Sequence, residues 1–200
     1  MTVVLLPEEP LFAAPFRLNG NGEMTGLEWV RESGLLTTPI GLTNTHSVGV
    51  VRDALVRVAV AREDAPDWSL PVVAETWDGF LRDINGFRVH DEHVLAAVEE
   101  SSFVVTEGNV GGGGTGMICH GFKGGIGTAS RVAEDGHIVG TCQERLRARA
   151  RSSWSSRRTH RCCHMNALLA AETMTGHRGR TAYALDPEAL VEVMKRYGRA

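Results

Sequence analysis

Three stretches of this 200-residue chain hold side chains that could do chemistry. The first is Leu70–Thr76 (LPVVAET), an apolar run that reads as a buried strand and delivers Glu75, Thr76, Trp77 and Asp78 at its end. Charged residues at the end of such a strand often line a site. On composition alone, ordinary loop solvation is the stronger reading. The second is His46, just ahead of a helical pattern, where an imidazole can be functional or simply hydrogen-bonded within the structure; the structural role is preferred. The third is His160, Cys162, Cys163 and His164, which are metal-ligand residue types. Their spacing fits no zinc pattern, so no metal is assigned to them.

Beside these lies a segment with little reactive chemistry and strong backbone demands. Glu107–Arg131 (EGNVGGGGTGMICHGFKGGIGTASR) holds ten of the 23 glycines. Glycine loses more backbone entropy on folding than any other residue, so this concentration implies positive φ, close backbone approach, or both. A flexible linker would lack the interleaved Met117, Ile118, Phe122 and Ile126. A phosphate loop of the GxxxxGK[ST] kind is excluded because Lys123 is followed by Gly124 and Gly125. A tight loop beside a site, followed by a glycine-notched strand, remains.

The elements that must position these residues follow from periodicity. Thr2–Leu6 and Pro39–Thr43 read as strands. Val48, Val51, Leu55 and Val58 repeat at helical spacing, with Asn44 or Thr45 able to cap that helix. Glu23–Ser33 reads as a helix stopped by Gly34, and Asp91–Glu100 as a helix with Val94, Leu95 and Val98 inward. Met117–Phe122 and Gly127–Ala133 read as strands separated by Gly124-Gly125, and His137–Gly140 opens another. Asp186 caps a last helix from Pro187, with Leu190, Val191 and Met194 inward.

Composition sets the class. A hydrophobic fraction of 42%, a charged fraction of 22% and a net charge of −3 describe a globular domain, with no general affinity for nucleic acid or anionic membrane. The four cysteines lack the spacing of a secreted disulfide framework, which implies a reducing cytoplasm. The N-terminal residues have neither a basic n-region nor a membrane-spanning apolar run. Within Thr141–His164 the character breaks. Seven arginines stand there with almost no apolar periodicity, and no nucleic-acid motif or aromatic interleaving accompanies them beyond Trp154.

The glycine-rich segment resembles that of the L-aminopeptidase/D-esterase family, which includes the β-peptidyl aminopeptidases. Leu18–Leu36, Pro39–Val56, Pro71–Phe87 and Met165–Ala200 resemble further segments of the same family, in its order. The resemblance implies an α/β (α+β) chain, a fragment of the layered α-β-β-α sandwich of N-terminal-nucleophile hydrolases. It implies one incomplete peptidase domain over residues 1–200 and a homo-oligomeric family needing no cofactor. The implied activity is a serine aminopeptidase/amidase that releases N-terminal residues from small peptides, amides or esters bearing a free amino group. In such enzymes a precursor cleaves itself at a Gly-Ser bond, and the freed serine's own amine serves as general base. Glu75 matches the acidic residue that receives the substrate's ammonium group. Trp77 stands where relatives carry an oxyanion-hole tyrosine, and an indole N–H donates but cannot accept. Gly112 and Gly113 border the same pocket, their backbone amides being possible donors.

The resemblance also shows what the chain lacks. No Gly-Ser pair occurs in it, and the family's oxyanion asparagine has no counterpart. Relatives carry a segment like Gly-Ser-Ile-Ile-Val-Val-Val-Ala-Thr at the break. Written as GGC TCG ATC ATC GTG GTC GTC GCG ACG and read one nucleotide late, it translates to Ala-Arg-Ser-Ser-Trp-Ser-Ser-Arg-Arg, which is Ala150–Arg158. The expectation is a truncated, frameshifted member whose aberrant segment 141–164 is disordered, because an arginine-rich stretch cannot enter a sheet core without burying unpaired charge. Two alternatives stand beside the enzyme reading: a non-enzymatic remnant, and an ornithine acetyltransferase-like protein with a threonine nucleophile.

Overall fold

A computed structural model describes residues 1–17, 20–102, 105–108, 112–132, 138–143 and 154–199. The chain divides into two compact units, Met1–Asp78 with Asp83–Val104, and Gly79–Arg82 with Val105–Ala200.

The first unit runs β1 (Thr2–Val4), β2 (Leu11–Phe12), α1 (Leu27–Ser33), β3 (Leu35–Leu36), β4 (Ile40–Asn44), α2 (Val48–Val60), β5 (Val72–Thr76) and α3 (Asp91–Glu99). Its main sheet has the order β1-β4-β5, with β1 antiparallel to β4 and β4 parallel to β5. Parallel neighbours need a crossover, and α2 supplies it. The helix lays Val48, Val51, Ala54 and Leu55 onto Val73 of β5 and Val94 of α3. A methyl group at Gly41 would lie 2.8 Å from the Val51 side chain, so a glycine there lets the helix sit down on the sheet. Each buried valine or leucine contributes roughly 1.5–3 kcal/mol. The stripe expected at Val48, Val51 and Leu55 is thus the core. On α3, Val94 faces inward, whereas Leu95 is exposed.

The helix expected over Glu23–Ser33 starts four residues late. Gly26 adopts φ +72, outside the helical region, and Met24 bridges Ala74 instead. The Thr25 amide donates to the Val73 carbonyl and the Glu75 amide donates to the Glu23 carbonyl, so residues 23–25 are spent on the edge of β5. Gly34 ends the helix in the left-handed region, as expected.

The second unit contains β6 (Ile118–Cys119), β7 (Phe122–Lys123), β8 (Gly127–Val132), β9 (Ile138–Gln143), α4 (Trp154–Leu169), β10 (Met174–Thr175), β11 (Thr181–Ala182) and α5 (Pro187–Arg196). Three antiparallel pairs form: β6-β7, β8-β9 and β10-β11. The tight turn is not at Gly124-Gly125. It is at His120-Gly121, where φ values of +52 and +86 join Cys119 to its partner Phe122. Two left-handed residues in a two-residue loop suit the twist of a hairpin. At Gly125 a Cβ would collide with the Gly108 backbone, so that glycine serves close approach rather than turning.

Both ends of the segment 141–164, for which disorder is expected, lie among the described residues. Thr141–Gln143 completes β9, and Trp154–His164 lies within α4. Residues 144–153 fall outside the described residues. Arginine is a good helix former, and the helix is anchored further on by buried Cys163, Ala167 and Leu168, one face at i, i+4 and i+5. Asp186 caps α5 as expected, accepting from the Glu188 and Ala189 amides. The apolar face of α5 is not inward, however: Val191 and Met194 are exposed.

Candidate functional site

Glu75 sits near the end of β5, opposite Thr43 in the parallel register. Its backbone is held on one side by β4 and on the other by the Glu23 carbonyl. The Thr45 hydroxyl, just past β4, donates to Glu75 Oε2 at 2.5 Å. A Cβ at Gly22 would come within 2.9 Å of Glu75 Oε1, so glycine at that turn leaves room for the carboxylate. The side chain is half-buried, and two chain segments far apart in sequence define its position. Such a carboxylate, with one oxygen already bonded and the other beside a glycine, can accept a charge-assisted hydrogen bond from a cation.

Trp77 follows two residues on, beyond the strand, with 52% of its surface exposed. Asn44 Oδ1 and Thr43 Oγ1, both near the end of β4, are buried and make no hydrogen bond among the described residues. A buried polar atom left without a partner is costly. Neither Asn44 nor Thr45 caps the helix as the sequence suggested; no side-chain cap bond forms at either helical start. His46 is exposed and stacks on Phe87, with ring centroids 5.9 Å apart.

Gly112 and Gly113 belong to the second unit, in a short 3₁₀ turn spanning Gly112–Gly116. Gly112 has φ +51, and Thr115 Oγ1 donates to its carbonyl at 3.0 Å. Under this turn lies Lys123, fully buried. Its ammonium donates to the carbonyls of Gly114 at 3.1 Å and Gly124 at 2.5 Å. Burial, and then the charge of Arg82, push its pKa down to about 8. Nearby, Glu107 Oε1 accepts from the Thr128 amide and hydroxyl, and the Asn166 side chain donates to the Thr128 carbonyl, tying β8 to α4.

Sequence reasoning placed Glu75 at a strand end but missed Thr45, Gly22 and the buried Lys123. No local pattern marks them, because each depends on a partner from another segment.

Comparison with known proteins sets this geometry in a lineage. Residues 1–143 match peptidase family S58. The chain belongs to that family. Over 126 residues it is 55% identical to the β-peptidyl aminopeptidase BapA of Sphingosinicella microcystinivorans; the match covers 62% of this chain and 32% of that protein's length. The chain therefore spans about a third of that S58 relative. Among solved structures it resembles a Burkholderia sp. β-aminopeptidase, with TM-score 0.80, 30% identity, and coverage of 94% of this chain and 82% of the other. It also resembles the L-aminopeptidase D-Ala-esterase/amidase of Ochrobactrum anthropi, a prototype serine aminopeptidase described as a variant of the Ntn hydrolase fold. There the TM-score is 0.78 at 28% identity, covering 99% of this chain and 83% of the other. The S58 chain is thus an α+β protein with the N-terminal-nucleophile hydrolase fold. Among its described residues no helix is long and apolar enough to cross a membrane.

Proposed function

We propose that this chain carries the ammonium-binding half of an aminopeptidase site. The ligand is the free amino end of a small peptide, amide or ester, and Glu75 receives it. The observation that carries this reading is the Glu75 carboxylate, oriented by Thr45 and given room by Gly22. A bound ammonium has three donors. Glu75 takes one. Trp77 replaces the family's tyrosine as a donor toward the substrate carbonyl.

In this reading the 200-residue chain binds but does not turn over. Its nucleophile position falls at Ala150-Arg151, where the family's Gly-Ser has been lost to a shifted frame. The protein works, or once worked, in the cytoplasm, without nucleic acid or membrane partners. The favoured second reading is a non-enzymatic remnant that keeps the fold alone, which the missing serine supports.

Aminoacyl p-nitroanilides test both parts. The purified chain is expected to release no nitroaniline and to show a single intact mass after prolonged incubation; turnover would defeat the inactivity reading. In an S58 enzyme that retains its serine, alanine at the position matching Glu75 should lower kcat/KM for free-amine substrates about ten- to hundredfold, the worth of a charged hydrogen bond. Unchanged kinetics there would remove Glu75 from the site.

A further inference from the structure

The turn of the β6-β7 hairpin and the middle of α4 bring together three side chains that sequence spacing keeps apart. Cys119 ends β6, His120 is the first turn residue, and His164 lies 44 residues further on, in α4. Cys119 Sγ and His164 Nε2 are 3.4 Å apart. The His120 and His164 rings meet edge to face with centroids 5.2 Å apart. One ligand atom from each of the three lies within 4.8 Å of the others.

We propose that Cys119, His120 and His164 form a mononuclear site for a borderline-soft divalent ion of the Zn²⁺ class. Ligands of a tetrahedral zinc, with Zn–S of about 2.3 Å and Zn–N of about 2.0–2.1 Å, stand roughly 3.3–3.7 Å from one another. The Cys119–His164 separation already has that value, and small rotations of His120 bring in the third donor. One thiolate with two imidazoles suits zinc or cobalt and is a poor set for magnesium or calcium, which take oxygen ligands. Cys119 and His164 are half-buried and His120 is exposed, so an ion can enter from solvent at the hairpin tip. Binding releases the Cys119 thiol proton and fixes both imidazoles in their neutral form. Three protein donors leave one position for water.

The hairpin is built for this presentation. His120 holds φ +52, which few side chains other than Asn, Asp, His and Gly adopt readily, and so projects beside Cys119 instead of alternating away along a strand. Helix α4 is pressed against β8, the strand that follows the hairpin, since a Cβ at Gly127 would collide with the Cys163 carbonyl. The ion would therefore clip the hairpin tip to α4. The S58 match ends at residue 143, so His164 lies outside it.

The test uses the full chain without an affinity tag, reduced, titrated with Co²⁺. Expected is one ion per chain, with a thiolate-to-cobalt charge-transfer band in the near ultraviolet and intense visible bands of tetrahedral Co²⁺, both abolished by added Zn²⁺. Cys119→Ser should remove the charge-transfer band. His164→Ala should weaken binding about a hundredfold or more, taking the loss of a second-shell partner as a lower guide. His120→Asn keeps a residue that tolerates positive φ, and so keeps the turn, while removing the imidazole; it should fold and bind at least about tenfold more weakly. Cys162→Ser should bind as the parent does. Failure of the parent to bind Co²⁺, a band surviving Cys119→Ser, or undiminished affinity in His120→Asn would each overturn the proposal.

Discussion

At the residue scale, Thr45 and Lys123 act through one or two hydrogen bonds each, and both can be tested without activity. Thr45→Val keeps the shape of the side chain and removes the hydroxyl that donates to Glu75. It should cost about 1–2 kcal/mol, the usual worth of a hydrogen bond to a charged group at a partly exposed position. Urea unfolding checks this, and an unchanged midpoint would mean that Glu75 is held by its backbone alone. Lys123 has the opposite relation to pH from an ion-paired lysine, whose pKa rises on folding. Its pKa falls on folding, from an ordinary 10.5 to about 8, chiefly through burial. Between those values the unfolded chain binds more protons, so the lysine's contribution to stability rises with pH across that window and is lowest below pH 8. The difference in unfolding free energy between the parent and Lys123→Met isolates it. That difference should shift in favour of the parent by about 1–3 kcal/mol between pH 8 and 10.5. A flat difference would place the ammonium in contact with water.

At the element scale, the contact of α4 with β8 rests on a missing side chain. Gly127 opens β8 at a point where a Cβ would strike the Cys163 carbonyl and crowd the Ala167 amide at 2.5 Å. Backbone cannot yield as a flexible side chain does. Gly127→Ala should therefore destabilise the second unit by about 1–3 kcal/mol or more. Gly121→Asn, at the second left-handed turn position with open space around it, should cost only a few tenths of that range. Amide exchange of α4 and β8 distinguishes the two. Equal protection in both variants would show that α4 does not pack on Gly127. The same contact explains why α4 is helical although its first half has no apolar stripe: Cys163, Ala167 and Leu168 bury the far half, and the arginine- and serine-rich half continues from it.

At the scale of the whole molecule, the shifted-frame reading of Ala150–Arg158 has a constructive test. Restoring the frame across 144–164 would return Gly-Ser and a hydrophobic strand, at a place where the chain now carries seven arginines between Thr141 and His164. The repaired chain is expected to cleave itself before that serine and appear as two fragments under denaturing conditions. The parent chain should stay whole. A repaired chain that also stays whole, or genomic codons at 150–158 that encode no apolar strand in either shifted frame, would end the frameshift explanation.

By itself the sequence determined the family, through several segments in order, and the strand carrying Glu75, the α2 stripe and the Asp186 cap, because each of these is written in residues a few positions apart. Period and capping are local, so they survive without knowledge of the fold. It misjudged the start of α1, where Gly26 and the edge of β5 outcompete helix propensity, and the place of the glycine turn. Tertiary structure alone decided that Thr45 orients Glu75, that Lys123 is buried beneath the glycine loop, and that Cys119, His120 and His164 converge. Those partners lie 30, 9 and up to 45 residues apart. Only the parallel register of β4 with β5, the His120-Gly121 turn and the packing of α4 over Gly127 bring such distant groups within bonding reach, and no local pattern encodes that.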